Sequence, residues 1–353
     1  MLMQAAVNAP VDGETYRQLA YVEGRTFLKA VDAILPSIAA RREESERFGK
    51  VPDATVAEMR EAGVFRAFTP LQWGGTEMDP ASYFEGIMRI AGADSSAAWI
   101  AGQLNVHSFE IALMDEQMQR DFWGESPDTA ASSSYAPIGK VTEVEGGYVL
   151  NGTWTFSSGV DHAKWAILGG KDRAFVVPAS DFTIDHASWD VQGLKGTGSK
   201  SLTLKEVFVP EYRVHKFADT ANHANPGWAL NDRPLYHLSF SSIFNATPTN
   251  TVIGTAKGGI DTFLAQAKVR FTRQGTGAPI AENPFLHVKV ANALTQIGAV
   301  HDRQLANWRR FFDAACRGED STVVDRMRAR FESADGNATC FDTIADLWPM
   351  AGA

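Results

Sequence analysis

NGTWTFSSGVDHAKW, residues 151–165, is the stretch on which the reading of this chain turns. It follows a Gly146-Gly147 pair suited to a hairpin turn. Trp154 and Phe156 alternate with Thr155 and Ser157, the two-residue period of a half-buried strand. The strand then runs into Ser157, Ser158 and Gly159. Aromatic faces, hydroxyl groups and a glycine that admits close approach to the backbone make a surface for a flat, hydrogen-bonding ligand.

Outward from this strand, residues 130–215 keep the alternating pattern. SSSYAPIGKVTEVEGGYVL precedes it, WAILGG and AFVVP form a strand pair about Lys171-Asp172, and DFTIDHASWDVQGLKGTGSKSLTLKEVFVP adds short strands. Such a block predicts a small barrel or sandwich. On either side the period is helical. Helices are expected over 15–40 with Pro36 as an interruption or kink, from Pro52-Asp53 to Gly63, over 80–92, and over 95–114 behind a serine cap. Later ones are expected over 235–268, over 285–311 with a core stripe of Val288, Ala291, Leu294, Ile297 and Val300, and over 322–347. The charged run RREESER, 41–47, reads as a solvated helix face. The chain is therefore expected to be α+β: an N-terminal helical domain (1–129), a central β-barrel domain (130–215) and a C-terminal helical domain (216–353).

With 353 residues, 44% of them apolar, the chain has ample material for a large core. A net charge of −9 argues against nucleic acid as a partner. No apolar run is long enough for a membrane span, and no secretory signal is visible. Cys316 and Cys340 read as buried free thiols, which fits a cytoplasmic location. Without HExxH or CxxC, a metal site has no support.

Four segments, in this order, resemble the acyl-CoA dehydrogenase fold, and within it the two-component flavin-dependent monooxygenases of the phenol-hydroxylase type. They are VPDATVAEMREAGVFRAFTPLQWGGTEMDPASYFE (51–85), DSSAAWIAGQLNVHSF (94–109), SSSYAPIGKVTEVEGGYVLNGTWTFSSGVDHAKWAILGG (132–170) and LKGTGSKSLTLKEVFVPEYRV (194–214). The resemblance implies an oxygenase component that takes FMNH2 or FADH2 from a separate NAD(P)H:flavin reductase and uses O2 to hydroxylate a small aromatic, phenolic substrate through a flavin C(4a)-hydroperoxide. It also implies a homotetramer.

Residue by residue, the resemblance sets the Ser158 hydroxyl against flavin N(5), with Ser157 as its alternative; as plain residues, both serines could simply close a turn. Ser133, Ser134 and Tyr135 match the strand that bonds the pyrimidine edge of the flavin. His107 matches a histidine that orients the substrate hydroxyl or acts as general base, whereas an isolated histidine in LNVHSFEIAL could equally be a satisfied core residue. Arg273 matches an arginine that reaches flavin phosphate, with Arg270 as the substitute. His162 reads as structural. The resemblance also places a further loop, a helix and a second active-site histidine after LWPMAGA, where the given residues end. The alternatives are an acyl-CoA dehydrogenase-type flavoenzyme, or oxygenation of nitrogen, sulfur or indole. The dehydrogenase would need a glutamate base near 239–242, where the sequence has SFSS.

Overall fold

The computed structural model describes residues 11–221, 224–271 and 279–351. Five helices come first: α1 (Gly13–Phe48), α2 (Asp53–Glu61), α3 (Pro80–Ala93), α4 (Ser95–Ala112) and α5 (Glu116–Trp123). Asp12 starts α1 by accepting from the Thr15 N–H at 2.8 Å, and Gly49 ends it at φ +64°. The helix continues past Pro36 and takes in the whole charged run, because Val31 and Ile38 are buried on either side of the proline. The cap of α4 is Asp94, which accepts from Ser96 and Ala97, and not a serine. An acceptor one residue upstream competes better for these first N–H groups, and an anion suits the helix start.

Eight strands follow: β1 (Ala131–Ser134), β2 (Lys140–Val144), β3 (Gly147–Ser157), β4 (Trp165–Gly169), β5 (Arg173–Pro178), β6 (Thr183–Asp185), β7 (Lys200–Pro210) and β8 (Val214–Lys216). The expected barrel is absent. The strands form two open sheets, ordered β1-β4-β5-β8 and β2-β3-β7-β6. Alternation along a strand shows that one face is covered but says nothing about whether the sheet closes. Here the two inner faces cover each other through Leu150, Trp154, Leu168, Phe175, Leu202 and Leu204. β1 pairs with β4 in parallel, and the other pairings are antiparallel. The Lys171-Asp172 hairpin lies where the sequence puts it, and the other turns at Glu145-Gly146, one residue before the expected pair, because Gly147 already pairs with Val144.

The helical pattern returns in α6 (Phe217–Ala221), α7 (Phe240–Val269), α8 (Pro284–Cys316) and α9 (Val323–Leu347). α7 lies close against α3: a Cβ on Gly254 would sit 2.1 Å from the Met88 carbonyl oxygen, so only glycine permits this approach. On α8 the buried row is Leu286, Ala293, Ile297 and Val300. Val288, Ala291 and Leu294, expected in the core stripe, face outward. Two apolar rows share this helix, and periodicity cannot say which one meets the core. Cys316 and Cys340 are buried and free. Among the described residues no helix is long and apolar enough to cross a membrane.

Buried acids shape the pH response of this scaffold. Glu77 accepts from Tyr16 Oη (3.1 Å) and the Leu71 N–H (2.9 Å). Burial pushes its carboxyl up to about 7 against those bonds and the charge of Arg233. The folded value is above the unfolded one, so its contribution is complete below about pH 4.5 and is lost as pH rises through 7. Glu77→Gln should therefore remain stable where the parent weakens, by on the order of 2 kcal/mol at pH 8. Melting temperatures of both proteins from pH 5 to 8 check this; parallel curves would show that Glu77 does not titrate there.

Candidate active site

α4 is apolar on nearly every side and is buried from Ser96 to Ala112, with Trp99 half-exposed. Polar groups in such a helix need partners. His107 and Glu110, one turn apart, find theirs on other elements. The Glu110 carboxylate accepts from Tyr135 Oη, just past β1, and from His215 Nδ1 in β8 at 2.7 Å. His107 Nδ1 lies 3.4 Å from Tyr135 Oη and 3.7 Å from Glu110. Burial alone would raise the Glu110 pKa, but the two neighbouring imidazoles, His107 and His215, bring it down to about 2.

A fixed hydrogen-bond polarity follows. An ionised carboxylate only accepts, so the Tyr135 proton is committed to Glu110. Toward His107 the tyrosine oxygen can then only accept, which places the imidazole proton on Nδ1. In the neutral ring Nε2 then keeps its lone pair, and this atom is buried with no partner among the described residues. The rings of Tyr135 and Phe244 flank the imidazole at 6.0 and 6.2 Å.

The serine turn is the second half of the candidate site. β3 and β7 shift register between Trp154 and Ser157, and Phe156 takes φ +62° inside that bulge. The simple alternation therefore fails here. Trp154 points into the space between the sheets, where its Nε1 donates to the Gly169 carbonyl at 3.1 Å, and offers no face to a ligand. Phe156 is 69% exposed and meets Trp189 edge-on. Ser157 is buried and donates to Ser132 Oγ (3.0 Å), while Ser134 donates to the Thr155 carbonyl (2.7 Å). Both hydroxyls thus brace β1 against the bulge. Ser158 remains half-buried, 2.9 Å from the donating Trp99 Nε1 and 2.8 Å from Ser199 Oγ.

α4 joins the two halves. Gly159 touches its Leu104, at φ +71° and with 3.2 Å between a would-be Cβ and the leucine. Trp99 and His107 are eight residues apart, ~12 Å along the helix. Trp99 also lines a cleft of about 1460 Å³ between α7, α9 and the α3–α4 corner, with Thr251, Thr255, Ile344, Trp348 and Arg270. Neither His107 nor Ser158 lines that cleft. Arg270 donates to the Ala351 carbonyl. Arg273 lies outside the described residues. His162 packs 3.6 Å from Asp53, and burial lowers its pKa, in keeping with a structural place.

The residues thus fall into two groups. Tyr135 comes to His107, and Ser133, Ser134, Ser157 and Ser158 gather where β1 meets the end of β3. Glu110, His215, Trp99 and Ser199 were not foreseen. For Glu110 a signal existed, an acid one turn from a histidine in an otherwise apolar helix. His215 lies 105 residues further on in sequence, and nothing local announces it.

Helices on both sides of two strand layers, with α7, α8 and α9 as a bundle, define an acyl-CoA dehydrogenase-type protein. In agreement, residues 247–353 match the family model described as acyl-CoA dehydrogenase, C-terminal domain. The chain belongs to the oxygenase subunits of two-component flavin-dependent monooxygenases. It is 34% identical over 335 residues to the flavin-dependent monooxygenase oxygenase subunit HsaA of Rhodococcus jostii, covering 92% of this chain and 87% of that protein. It is 35% identical over 352 residues to the oxygenase component of p-hydroxyphenylacetate 3-hydroxylase from Acinetobacter baumannii, covering 96% and 82%. The crystal structure of 3-HSA hydroxylase from Rhodococcus sp. RHA1 superposes with a TM-score of 0.87 at 35% identity, over 93% of this chain and 86% of that one. The protein is accordingly an enzyme that uses reduced flavin, supplied from outside the chain, together with O2.

Proposed function

We propose that this oxygenase component hydroxylates a small aromatic ring that carries a hydroxyl group, at the position ortho to it. The observation that carries the reading is His107 Nε2, buried with no hydrogen-bond partner among the described residues. A phenol O–H would complete it, and transfer of that proton to Nε2 would raise the electron density of the ring carbon that must be oxygenated. The rings of Tyr135 and Phe244 flank the imidazole, with Phe240 against Phe244, and would serve as apolar walls that exclude water from such a ring. Two relatives bear names of this chemistry, p-hydroxyphenylacetate 3-hydroxylase and resorcinol hydroxylase.

The residues at the serine turn suit a flavin ring. Phe156 presents an open aromatic face, Ser158 a half-buried hydroxyl, and the β1 end at Ser133 to Tyr135 lies alongside. Arg270, or Arg273, would hold its phosphate, and either FMN or FAD is compatible with these groups. When bound, reduced flavin supplies the activation of O2 and the oxygen atom delivered to the ring. Ser158 would hold the ring edge, and α4 would set the ~12 Å offset between that edge and His107. The reduced flavin would come from a diffusing NAD(P)H:flavin reductase. The outward rows Phe285, Val288 and Leu294 on α8 and Val324, Met327 and Phe331 on α9 are apolar and exposed, which favours burial against further copies, as in a homotetramer.

A substrate screen tests the reading. The protein is mixed with a generic flavin reductase, NADH, FMN or FAD, and sets of phenols, indoles, thioethers and O-methylated phenols. Phenols should yield catechols, and the O-methyl ethers should be inert because they have no proton for Nε2. Thioethers converted as fast as phenols would overturn the proposal.

A further inference from the structure

Ser158 stands at the head of a line of hydroxyls. The Thr197 hydroxyl donates to the Leu194 carbonyl at 2.9 Å. A carbonyl can only accept, so this contact uses the single proton of Thr197. Toward Ser199 Oγ, 2.8 Å away, Thr197 must then accept, and Ser199 must donate. Toward Ser158 Oγ, also 2.8 Å away, Ser199 has only a lone pair left to offer, so Ser158 donates to it. Trp99 Nε1 donates to Ser158 from another side at 2.9 Å. One lone pair remains on Ser158, and no proton.

The line is well protected. Thr197 is 2% and Ser199 5% exposed, so water has little access to reverse it. The Thr197 backbone is also tied to the serine turn, since the Gly159 N–H donates to its carbonyl at 2.9 Å. The KGTGS segment (195–199) thus sets the hydrogen-bond direction of a residue some forty positions earlier.

We infer that Thr197 and Ser199 are positioning residues that hold Ser158 as a hydrogen-bond acceptor, so that this site selects a flavin bearing N(5)–H over the oxidised ring. The inference rests on the placement of flavin beside Ser158 proposed above. Reduced flavin carries a proton on N(5) and can donate it to the remaining lone pair. Oxidised flavin presents a lone pair at N(5), and two facing lone pairs leave both atoms unpaired in a half-buried place. The chemistry gives this preference a purpose, because an oxygenase that draws reduced flavin from solution must not fill with the oxidised form.

The test compares dissociation constants of oxidised and dithionite-reduced FMN and FAD, measured anaerobically by flavin fluorescence and absorbance, for four variants and the parent. The parent should bind reduced flavin about tenfold or more tightly than oxidised flavin. Ser199→Ala and Thr197→Val free the Ser158 proton to turn toward the ring. Both should gain affinity for oxidised flavin and bring the ratio down roughly tenfold. Thr197→Ser keeps the proton order and should retain the parental ratio, which separates the hydroxyl line from simple packing. Ser158→Ala should abolish the preference by weakening reduced flavin. If Ser158→Ala acts so but Ser199→Ala and Thr197→Val keep the parental ratio, the hydroxyl line has no such role and the flavin placement stands. If Ser158→Ala changes neither constant, the placement itself falls. Should Ser199→Ala fail to fold, as its melting curve would reveal, the Thr197→Val and Thr197→Ser pair decides.

Discussion

Glu110→Gln is expected to lower the melting temperature at pH 7 by roughly 5 °C or more and to uncouple flavin oxidation from product formation about tenfold. The carboxylate is fully buried and accepts from two elements besides its own helix, the segment after β1 and β8. An amide of the same shape keeps one acceptor but turns an N–H group on a neighbour that also donates. Breaking one side of a buried charged network costs about 3 kcal/mol. The pH dependence has a defined sign. The folded pKa of about 2 is below the ordinary 4.5, so the ionised group stabilises the fold above about pH 4.5, and this contribution fades as pH falls toward 2. The variant should lack that acid limb, and calorimetry of both proteins between pH 2 and 7 reads it directly. The functional loss follows from polarity: once Tyr135 need not donate to position 110, His107 can carry its proton on Nε2. An unchanged acid limb would contradict the ionised state assigned to Glu110.

His107→Ala is expected to cut product formation about a hundredfold while reduced flavin still consumes O2 at its normal rate. In the proposed arrangement the imidazole belongs to the substrate side of the site, ~12 Å along α4 from Trp99, so its loss should not reach the flavin edge. NADH consumption would then appear almost wholly as hydrogen peroxide, which a peroxidase assay measures beside product chromatography. Exogenous imidazole should restore part of the yield if the missing function is a proton acceptor. A product yield equal to that of the parent would remove His107 from the reaction.

The order of helices, strands and helices was legible because period carries over several residues at a time, and so were both hairpins, marked to within a residue by Gly146-Gly147 and Lys171-Asp172. The closure of the strands was not, since an open pair of sheets and a barrel demand the same alternation. At the site, the serine turn could be located, yet the roles of its residues could not. One extra residue in the bulge at Phe156 turns Ser157 inward and exposes the phenyl ring, and no pattern in TWTFSSG reveals that shift. His107 was recognisable by its setting, but its polarity depends on Tyr135, Glu110 and His215 meeting from three separate elements. Such meetings belong to tertiary structure alone.

Because α4 is enclosed over most of its length, it would serve, in the proposed arrangement, as a rigid ruler between oxygen donor and acceptor, and adaptation to new compounds would have to come from elsewhere. The opposite wall, where α7 brings Phe244 toward the imidazole with Phe240 packed against it, can change bulk without shifting that spacing. Engineers seeking altered selectivity would do best to diversify those two positions and leave the ruler alone.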